Sequence, residues 1–349
     1  MLRYDVKIVR ICQPARRAIQ SVLCLAGLTA AVAGAAPWRP ASSPVSVALL
    51  AVSAAPAGGY VAVGESGAIV VSGDGEIWRV ADSPTQATLR GVACGPPGCV
   101  AVGDGGTILT SSDAELWLRR DSGSTDRLNA VTWTGARFVA VGAAGGEVLS
   151  GVILTSENGH TWRNRTPAGV RPLYGVAGKG PQVMAVGWTG TAAESLDGVT
   201  WSVTSLGDVL QSCWFMLRPS FLYAVTGALH TWVTAGLVVG DQYPGAGVSL
   251  ARRDGGAWSC SVTELPPLQF KFRGLAATDS SFLAAGQGGI AESRDGLRWT
   301  PQWKEAAAQL YGIAAGRHGA VAVGERGRIL VRDGAPPRPA RRVVRSGGR

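Results

Sequence analysis

The sequence has little of what catalytic and metal centres require. Its 349 residues include only three histidines, His160, His230 and His318, which lie far apart and without the spacing of metal ligands. Neither a P-loop nor a Ser-His-Asp signature is present. These absences argue against a metal centre, a phosphate-binding loop and a serine hydrolase. We therefore predict no catalytic residue, no metal and no cofactor.

The central part of the chain lacks an excess of charge of either sign. The formal net charge is +9, but the first 36 residues hold five of the 33 basic residues with one acid, and residues 335–349 hold five arginines with no acid. Residues 37–334 keep 23 basic and 23 acidic side chains. A basic face for nucleic acid is not supported, so no nucleic-acid partner is predicted.

Residues 1–36 have the pattern of a secretory signal peptide. Basic residues from Arg3 to Arg17 precede an apolar run from Ala18 to Ala33, and small residues follow. The run is short for a membrane-spanning helix, although an uncleaved anchor is the alternative. No lipobox surrounds Cys24, because Val22 and Leu23 precede it. We predict export to the periplasm or the extracellular space.

Residues 335–349 combine proline, glycine and five arginines with almost no apolar content. Such a composition cannot bury enough surface to order itself, so we predict a basic, disordered tail. Its charges would attract it to an anionic membrane surface. The alternative is a solvated tail without a partner.

One pattern recurs seven times between these ends, in the order L-x-G-V, V-A-V-G, G-x-I and S-x-D-G-x-x-W. Short apolar runs separated by glycine predict strands joined by hairpins. Four strands in a repeat of about 40 residues is the period of a propeller blade. The V-A-V-G elements end at Gly64, Gly103, Gly142, Gly187, Gly240, Gly286 and Gly324.

The spacing of tryptophan and leucine predicts how the ring closes. A fixed interval separates Trp78 from Leu89, the leucine of the next repeat, and the same interval recurs in later repeats. The last repeat has no tryptophan, yet Trp38 precedes Leu49 by this same interval. The N-terminal strand would therefore complete the last blade and remove its open edge. We predict an all-β fold over residues 37–334, a seven-bladed β-propeller of four-stranded antiparallel blades closed by the N-terminal strand.

The S-x-D-G-x-x-W elements are predicted to have structural roles. The Asp or Asn accepts backbone N–H bonds, the glycine adopts a positive φ, and the tryptophan packs between blades. The residues concerned are Ser72, Asp74, Trp78, Asp113, Trp117, Asn158, Trp162, Asp197, Trp201, Asp254, Trp258, Asp295 and Trp299.

This element resembles the Asp-box, or BNR, repeat. The whole template, with VAVGDGGTILTSSDAELW at 100–117 as its clearest copy, resembles the photosystem II stability/assembly factor family. The resemblance implies an exported, non-catalytic protein that binds a protein client, such as a membrane protein or complex; we also predict that it is a monomer. Asp-box propellers also include sialidases and other glycoside hydrolases or lyases, which are the alternative. The Arg-Ile-Pro element usual in sialidases is missing here, but paired carboxylates for glycoside hydrolysis are set by the fold and not by spacing.

Candidate binding residues occupy the positions that vary between repeats. The x of L-x-G-V is predicted to lie near the central channel, and the residue after V-A-V-G on the same end of the ring. Arginine and aromatic side chains there are typical of recognition surfaces; the alternative is that they only face water. The candidates are Arg90, Tyr174, Trp188, Tyr223, Arg273 and Tyr311.

The fifth repeat carries an insertion, because the interval from Trp201 to Leu222 is nearly twice the corresponding interval in other repeats. The insertion includes Cys213, Trp214, Phe215 and Met216. It is either a partner site, with Trp214 as a candidate residue, or local core folded back over the ring.

Four cysteines follow the predicted signal peptide. Cys94 and Cys99 stand at opposing positions of a short hairpin, within reach of a disulfide bond in an oxidising compartment. Cys213 and Cys260 are predicted to form a second bond, which ties the insertion to the outer strand of the fifth blade.

Overall fold

Strands make up nearly all the regular structure of the protein. The computed structural model describes residues 36–145, 149–213, 220–238, 246–263 and 270–334. The predicted signal peptide (except residue 36), the predicted tail and Trp214 lie outside the described residues. Within these ranges, no helix is long and apolar enough to cross a membrane.

Three four-stranded antiparallel blades follow a short first strand, β1 (Arg39–Ala41). In each blade the strands pair in chain order, because each is joined to the next by a short turn. The strands are β2 (Leu49–Ala54), β3 (Tyr60–Gly64), β4 (Ile69–Ser72), β5 (Trp78–Val80), β6 (Leu89–Gly95), β7 (Gly98–Gly103), β8 (Ile108–Ser111), β9 (Leu118–Arg120), β10 (Arg127–Trp133), β11 (Phe138–Ala144), β12 (Ser150–Ser156) and β13 (Arg163–Asn164).

The fourth and fifth blades have the same order, and helix α1 (Gly207–Cys213) lies between them in sequence. Three 3-10 helices, Glu65–Gly67, Asp104–Gly106 and Glu325–Gly327, each follow the second strand of a repeat. The strands of the fourth and fifth blades are β14 (Leu173–Lys179), β15 (Gln182–Gly187), β16 (Thr191–Ser195), β17 (Ser202–Ser205), β18 (Ser220–Ala228), β19 (Thr231–Val238), β20 (Ala246–Arg253) and β21 (Ser259–Thr263).

The sixth blade has six strands, in the order β22-β23-β24-β25-β26-β1. Its members are β22 (Lys271–Ala277), β23 (Phe282–Ser293), β24 (Thr300–Gly316), β25 (Gly319–Gly324) and β26 (Ile329–Asp333), with β1 at the edge. Strand β24 is 17 residues long and pairs with β23 through one part and with β25 through the other.

The prediction of an all-β propeller with four-stranded antiparallel blades is confirmed for five blades, but the predicted number of seven blades is wrong. The described residues form six sheets, since β24 joins the last two sequence repeats into one sheet. Elsewhere the linkers between repeats contain proline, serine or glycine, which interrupt strands. Residues 304–309, Lys-Glu-Ala-Ala-Ala-Gln, contain none of these and continue as strand.

The first strand of the chain covers the edge of the sixth blade. Arg39 opposes Val331 and Ala41 opposes Ile329 in the antiparallel pairing of β1 with β26. Trp38 is buried among the apolar residues of this blade, including Leu283 and Leu330. The beginning and the end of the described chain are thus held in one sheet.

The core consists of apolar layers between neighbouring blades. Val139 and Ile153 of the third blade are fully buried against Val183 and Ala185 of the fourth. This explains why runs such as residues 138–141 are apolar on both faces, since each face of an inner strand meets a neighbouring sheet. Such layers fix the inner strands around a channel, which is where the variable residues lie.

Candidate binding site at the channel mouth

A β-bulge interrupts the innermost strand segment of every repeat at the same position. Leu49 pairs with Gly64 and Ala51 with Val63, so Leu50 between them has no partner of its own. A bulge of this kind changes the direction of a side chain. The unpaired residue is the x of L-x-G-V in all seven copies: Leu50, Arg90, Asn129, Tyr174, Tyr223, Arg273 and Tyr311.

The glycine that ends V-A-V-G makes this bulge possible. A Cβ atom at Gly64 would collide with the carbonyl oxygen of Ala48, which precedes the bulged strand. In the fifth repeat the same contact and the same pairing belong to Gly236, which opposes Leu222. The assignment of Gly240 to this position is therefore wrong, and the residue that follows the motif there is Leu237.

The bulged residues converge on one cavity of about 370 Å³ along the axis of the ring. Seven inner segments from six blades surround it, in the circular order β2, β6, β10, β14, β18, β22 and β24. All seven bulged residues line the cavity, as the sequence predicted for the position. Arg127 also lines it and was not predicted; like Phe221 and Lys271, it stands directly before the leucine or phenylalanine of the motif.

One half of the channel mouth is aromatic and basic. The ring centroids of Tyr174 and Tyr223 lie 5.7 Å apart, and Phe221 stacks on Tyr223 at 6.0 Å. The Arg273 guanidinium lies 4.3 Å from the centroid of the Tyr223 ring, in the geometry of a cation–π interaction. Burial raises the pKa of Tyr174, with a smaller contribution from Tyr223, so its hydroxyl remains a hydrogen-bond donor at neutral pH.

Trp188 extends this surface outward. Its backbone forms an isolated antiparallel bridge with Phe221 of the next blade, and the Arg171 guanidinium lies 5.6 Å from the indole centroid. The rim position predicted for Trp188 is thus next to the aromatic cluster. Flat, rigid rings beside guanidinium groups are the side chains that dominate protein interfaces.

The other half of the mouth is acidic. Glu65, Asp104 and Glu325 begin the three 3-10 helices, in the repeats on either side of the ring closure. Arg90 is paired with Asp104, with 2.5 Å between Nε and Oδ1 and 2.9 Å between Nη2 and Oδ2. This side of the mouth therefore carries carboxylates together with Arg90 and Tyr311.

The electrostatic environment of Tyr311 does not favour a nucleophilic phenol of the sialidase kind. Burial raises the pKa of Tyr311, Glu325 raises it further, and Arg273 only partly opposes them. A nucleophilic phenol requires a shift in the other direction. Tyr311 is instead suited to donate a hydrogen bond to a bound partner.

The S-x-D-G-x-x-W turns lie at the opposite end of the ring. Asp74 Oδ1 accepts bonds from the backbone N–H groups of Glu76 (2.8 Å) and Ile77 (3.1 Å), and Trp78 Nε1 donates to the Gly75 carbonyl oxygen (2.7 Å). Equivalent carboxylate or amide bonds occur at Asp113, Asn158, Asp197 and Asp295.

These bonds lower the carboxylate pKa values. The backbone N–H groups of Thr200 and Val199, followed by the Ser195 hydroxyl, hold the pKa of Asp197 at about 2. The pKa of Asp74 is also lowered, first by Ile77 and then by Glu76. A carboxylate of this kind is a fixed acceptor and a poor general acid or base at neutral pH.

The predicted copy of this turn at Asp254 has a different structure. Arg252 occupies the place of the serine, and Asp254 pairs with Lys179 and His230. Arg252 binds Glu194 of the fourth blade and lies 4.8 Å from the Trp258 ring centroid. Here ion pairs between blades replace the turn bonds.

Both predicted disulfide bonds are present. Cys94 and Cys99 are cross-strand partners in the hairpin of β6 and β7. Cys213, the last residue of α1, is bonded to Cys260 in β21, so the described part of the insertion is tied to the fifth blade. No group of histidine, cysteine and acidic side chains among the described residues is arranged to hold a metal ion.

The fold and the mouth define a β-propeller with a polar and aromatic central channel. Known structures share this architecture. YCF48 bound to D1 peptide has a TM-score of 0.63 at 16% identity, over 86% of this chain and 97% of that chain. YCF48 from Cyanidioschyzon merolae also has a TM-score of 0.63 at 16% identity, over 85% of this chain and 99% of that chain.

The extracellular domain of a protein described as a one-component system, from B. thetaiotaomicron, also has a TM-score of 0.63, at 11% identity over 86% of this chain and 40% of that chain. At such identities these similarities establish the fold alone. No protein-family model and no curated protein matches the sequence.

Proposed function

We propose that this protein is exported and binds a protein client at the channel mouth, in the manner of an assembly factor and without catalysis. The observation that carries the proposal is the convergence of seven variable residues, through one repeated bulge, on a single cavity. A repeated backbone that brings different side chains together at one place can present a recognition surface.

The composition of the mouth favours a polypeptide partner. Tyr174, Phe221, Tyr223 and Trp188 offer apolar area, while Arg127 and Arg273 offer donors for backbone carbonyls and carboxylates. The similarity to a propeller whose structure holds a D1 peptide is consistent with this partner class. Two disulfide bonds and the similarity to an extracellular domain support export, as does the predicted signal peptide.

Site-specific photocrosslinking in the producing cell tests the proposal. A photoreactive phenylalanine analogue replaces Tyr223 at the mouth or, as a control, Ile77, which is 78% exposed at the opposite end. We expect one discrete protein adduct from position 223, identified by mass spectrometry, that disappears when Arg273→Glu is added. Equal adducts from both positions, or turnover of a glycoside panel by the purified protein, would contradict the proposal.

A further inference from the structure

Three arginines of the third blade surround a second cavity, away from the channel. Arg137 ends the turn between β10 and β11, Arg163 lies in β13, and Arg165 follows that strand. The cavity has a volume of about 260 Å³, well above the ~15 Å³ that one water molecule needs on the same measure. Its lining is otherwise entirely polar: Thr155, Ser156, Glu157, Asn158 and Thr161.

Two of these guanidinium groups lack an acceptor at Nε. The Nε atoms of Arg137 and Arg165 are buried and have no hydrogen-bond partner. Among the described residues they are the only buried charged side-chain atoms in this condition, since the other two unpartnered atoms are indole nitrogens. Glu157, which also lines the cavity, forms an ion pair with Arg137 at 3.9 Å; its side chain is 78% exposed, so solvent weakens the pair. Each guanidinium group carries five N–H donors and no acceptor, so three of them around one polar cavity concentrate donors and positive charge there.

The position of Arg137 is fixed before any ligand arrives. The Thr134 hydroxyl accepts the Arg137 N–H at 3.1 Å, and Thr134 N donates to the Arg137 carbonyl oxygen at 2.9 Å. The aliphatic part of the side chain packs against Gly198 of the fourth blade, where a Cβ would lie 2.8 Å from Arg137 Cδ. The guanidinium is therefore held between two blades.

A substitution within the repeat removes negative charge beside this cavity. The four other serine-containing turns carry a carboxylate at the position of Asn158, namely Asp74, Asp113, Asp197 and Asp295. Asn158 makes the same bonds, to the N–H groups of His160 (2.8 Å) and Thr161 (3.2 Å). The turn is thus preserved with one negative charge fewer, which leaves Glu157 as the single carboxylate in the lining of the cavity.

We propose that this cavity binds one tetrahedral oxyanion, a phosphate or sulfate group. Three guanidinium groups and the hydroxyls of Thr155 and Thr161 offer more donors than the two oxygens of a carboxylate can accept. The group belongs to a free ion or to a larger ligand that carries it. The site is separate from the channel mouth and does not depend on the function proposed for it.

Isothermal titration calorimetry of the purified protein with sodium sulfate and sodium phosphate, at constant ionic strength, tests this site. We expect saturable binding of one ion per chain and at least about tenfold weaker binding of acetate. Arg165→Gln should weaken binding of the anion by about tenfold or more, whereas Arg119→Gln, an exposed arginine on β9, should not change it.

Asn158→Asp provides a second test in case Arg165→Gln does not fold. It should fold, because the four equivalent turns carry aspartate at this position. It should weaken sulfate binding by about tenfold with an unchanged melting temperature. A sulfated oligosaccharide and vesicles containing phosphatidic acid are then tested as competitors of sulfate binding. Competition by either one indicates that the anionic group belongs to a larger ligand and not to a free ion. Lack of saturation with both ions, equal affinity for acetate, or unchanged affinity in Asn158→Asp would overturn the proposal.

Discussion

The two ends of the ring use the same repeat in opposite ways. At one end, five turns from Ser72–Trp78 to Ser293–Trp299 share the bonds from backbone N–H groups to the oxygen of an Asp or Asn side chain. At the other end, the seven bulged positions carry leucine, arginine, asparagine or tyrosine on an identical backbone. Uniform residues at the turn end stabilise the fold, and variable residues at the mouth are free to serve recognition. Changes in the repeated framework should therefore alter stability, and changes at the mouth should alter binding.

The largest effect is expected from removing strand β1. A chain that begins at Ser46 loses the buried Trp38 and exposes the edge of β26. Loss of a buried tryptophan alone costs about 3–5 kcal/mol, which corresponds to a melting temperature lower by roughly 10 °C. Differential scanning calorimetry of the two forms measures this. An unchanged melting temperature would mean that ring closure does not contribute to stability.

The two disulfide bonds should differ in their contribution to stability. Cys213 and Cys260 are 47 residues apart, whereas Cys94 and Cys99 are five apart. Because a longer loop loses more entropy when it is closed, Cys→Ser pairs should cost about 4 kcal/mol at Cys213–Cys260 and about 2 kcal/mol at Cys94–Cys99. Urea unfolding of both variants tests the order, and thiol titration of the denatured protein should find no free thiol in residues 37–349.

A smaller effect is expected at a single turn. Asp295→Ala removes the bonds to the N–H groups of Leu297 and Arg298 and should cost about 1 kcal/mol in the free energy of unfolding. Asp295→Asn should cost less, since Asn158 makes the same bonds in its own turn. Photocrosslinking from position 223 should be unaffected in both variants. Loss of the adduct would show that the turns also contribute to binding at the mouth, contrary to the comparison made above.

The turns also predict a dependence of stability on pH. Since the pKa of Asp197 is lowered to about 2 in the folded state, its stabilising contribution is complete above pH ~4 and is lost as the pH falls through 2. Asp197→Asn removes the ionisable carboxylate and with it this pH-dependent contribution. The difference in melting temperature between wild type and variant should therefore narrow between pH ~4 and pH ~2. A difference in melting temperature that stays constant over this pH range would contradict the lowered pKa of Asp197.

The smallest change in stability is expected at the mouth. Arg273→Gln removes the interaction with the Tyr223 ring and should change the free energy of unfolding by no more than about 1 kcal/mol. Its adduct yield in the crosslinking experiment should nevertheless fall strongly. A matched variant of the turn end, Arg298→Gln, should leave both quantities unchanged.

The sequence predicted the repeat, the strands, both disulfide bonds and the convergence of the bulged positions, because these follow from local spacing. The number of blades could not be read from spacing. Trp299 and Leu310 are separated by the same interval as their counterparts in other repeats, but the hydrogen bonds of β24 continue through the linker. The absence of glycine, serine and proline from residues 304–309 was the available signal.

The composition of the mouth was only partly predictable. Arg127 and Phe221 lie outside the repeated motif, and their approach to the bulged residues depends on how neighbouring blades pack. The cavity of the third blade, proposed above as an oxyanion site, was equally hidden, because Arg137 and Arg165 are distant in sequence from the Gly198 turn that helps to hold Arg137. Comparison of the repeats shows that Asn158 stands where other repeats have aspartate. Only the structure shows that this residue lines the cavity of the third blade.

The pairing of β1 with β26 sets the order in which the molecule can be completed. Arg39 bonds to Asp333 at 3.0 Å although 294 positions separate them in the chain. During synthesis from the N-terminus, residues 39–41 have no partner strand until residues 329–333 have been made. The entropic cost of closing a loop grows only with the logarithm of its length. The long separation therefore affects the rate of folding more than the stability of the folded protein. Chains interrupted before residue 329 would leave residues 39–41 without their partner strand and would expose a sheet edge that can pair with another chain.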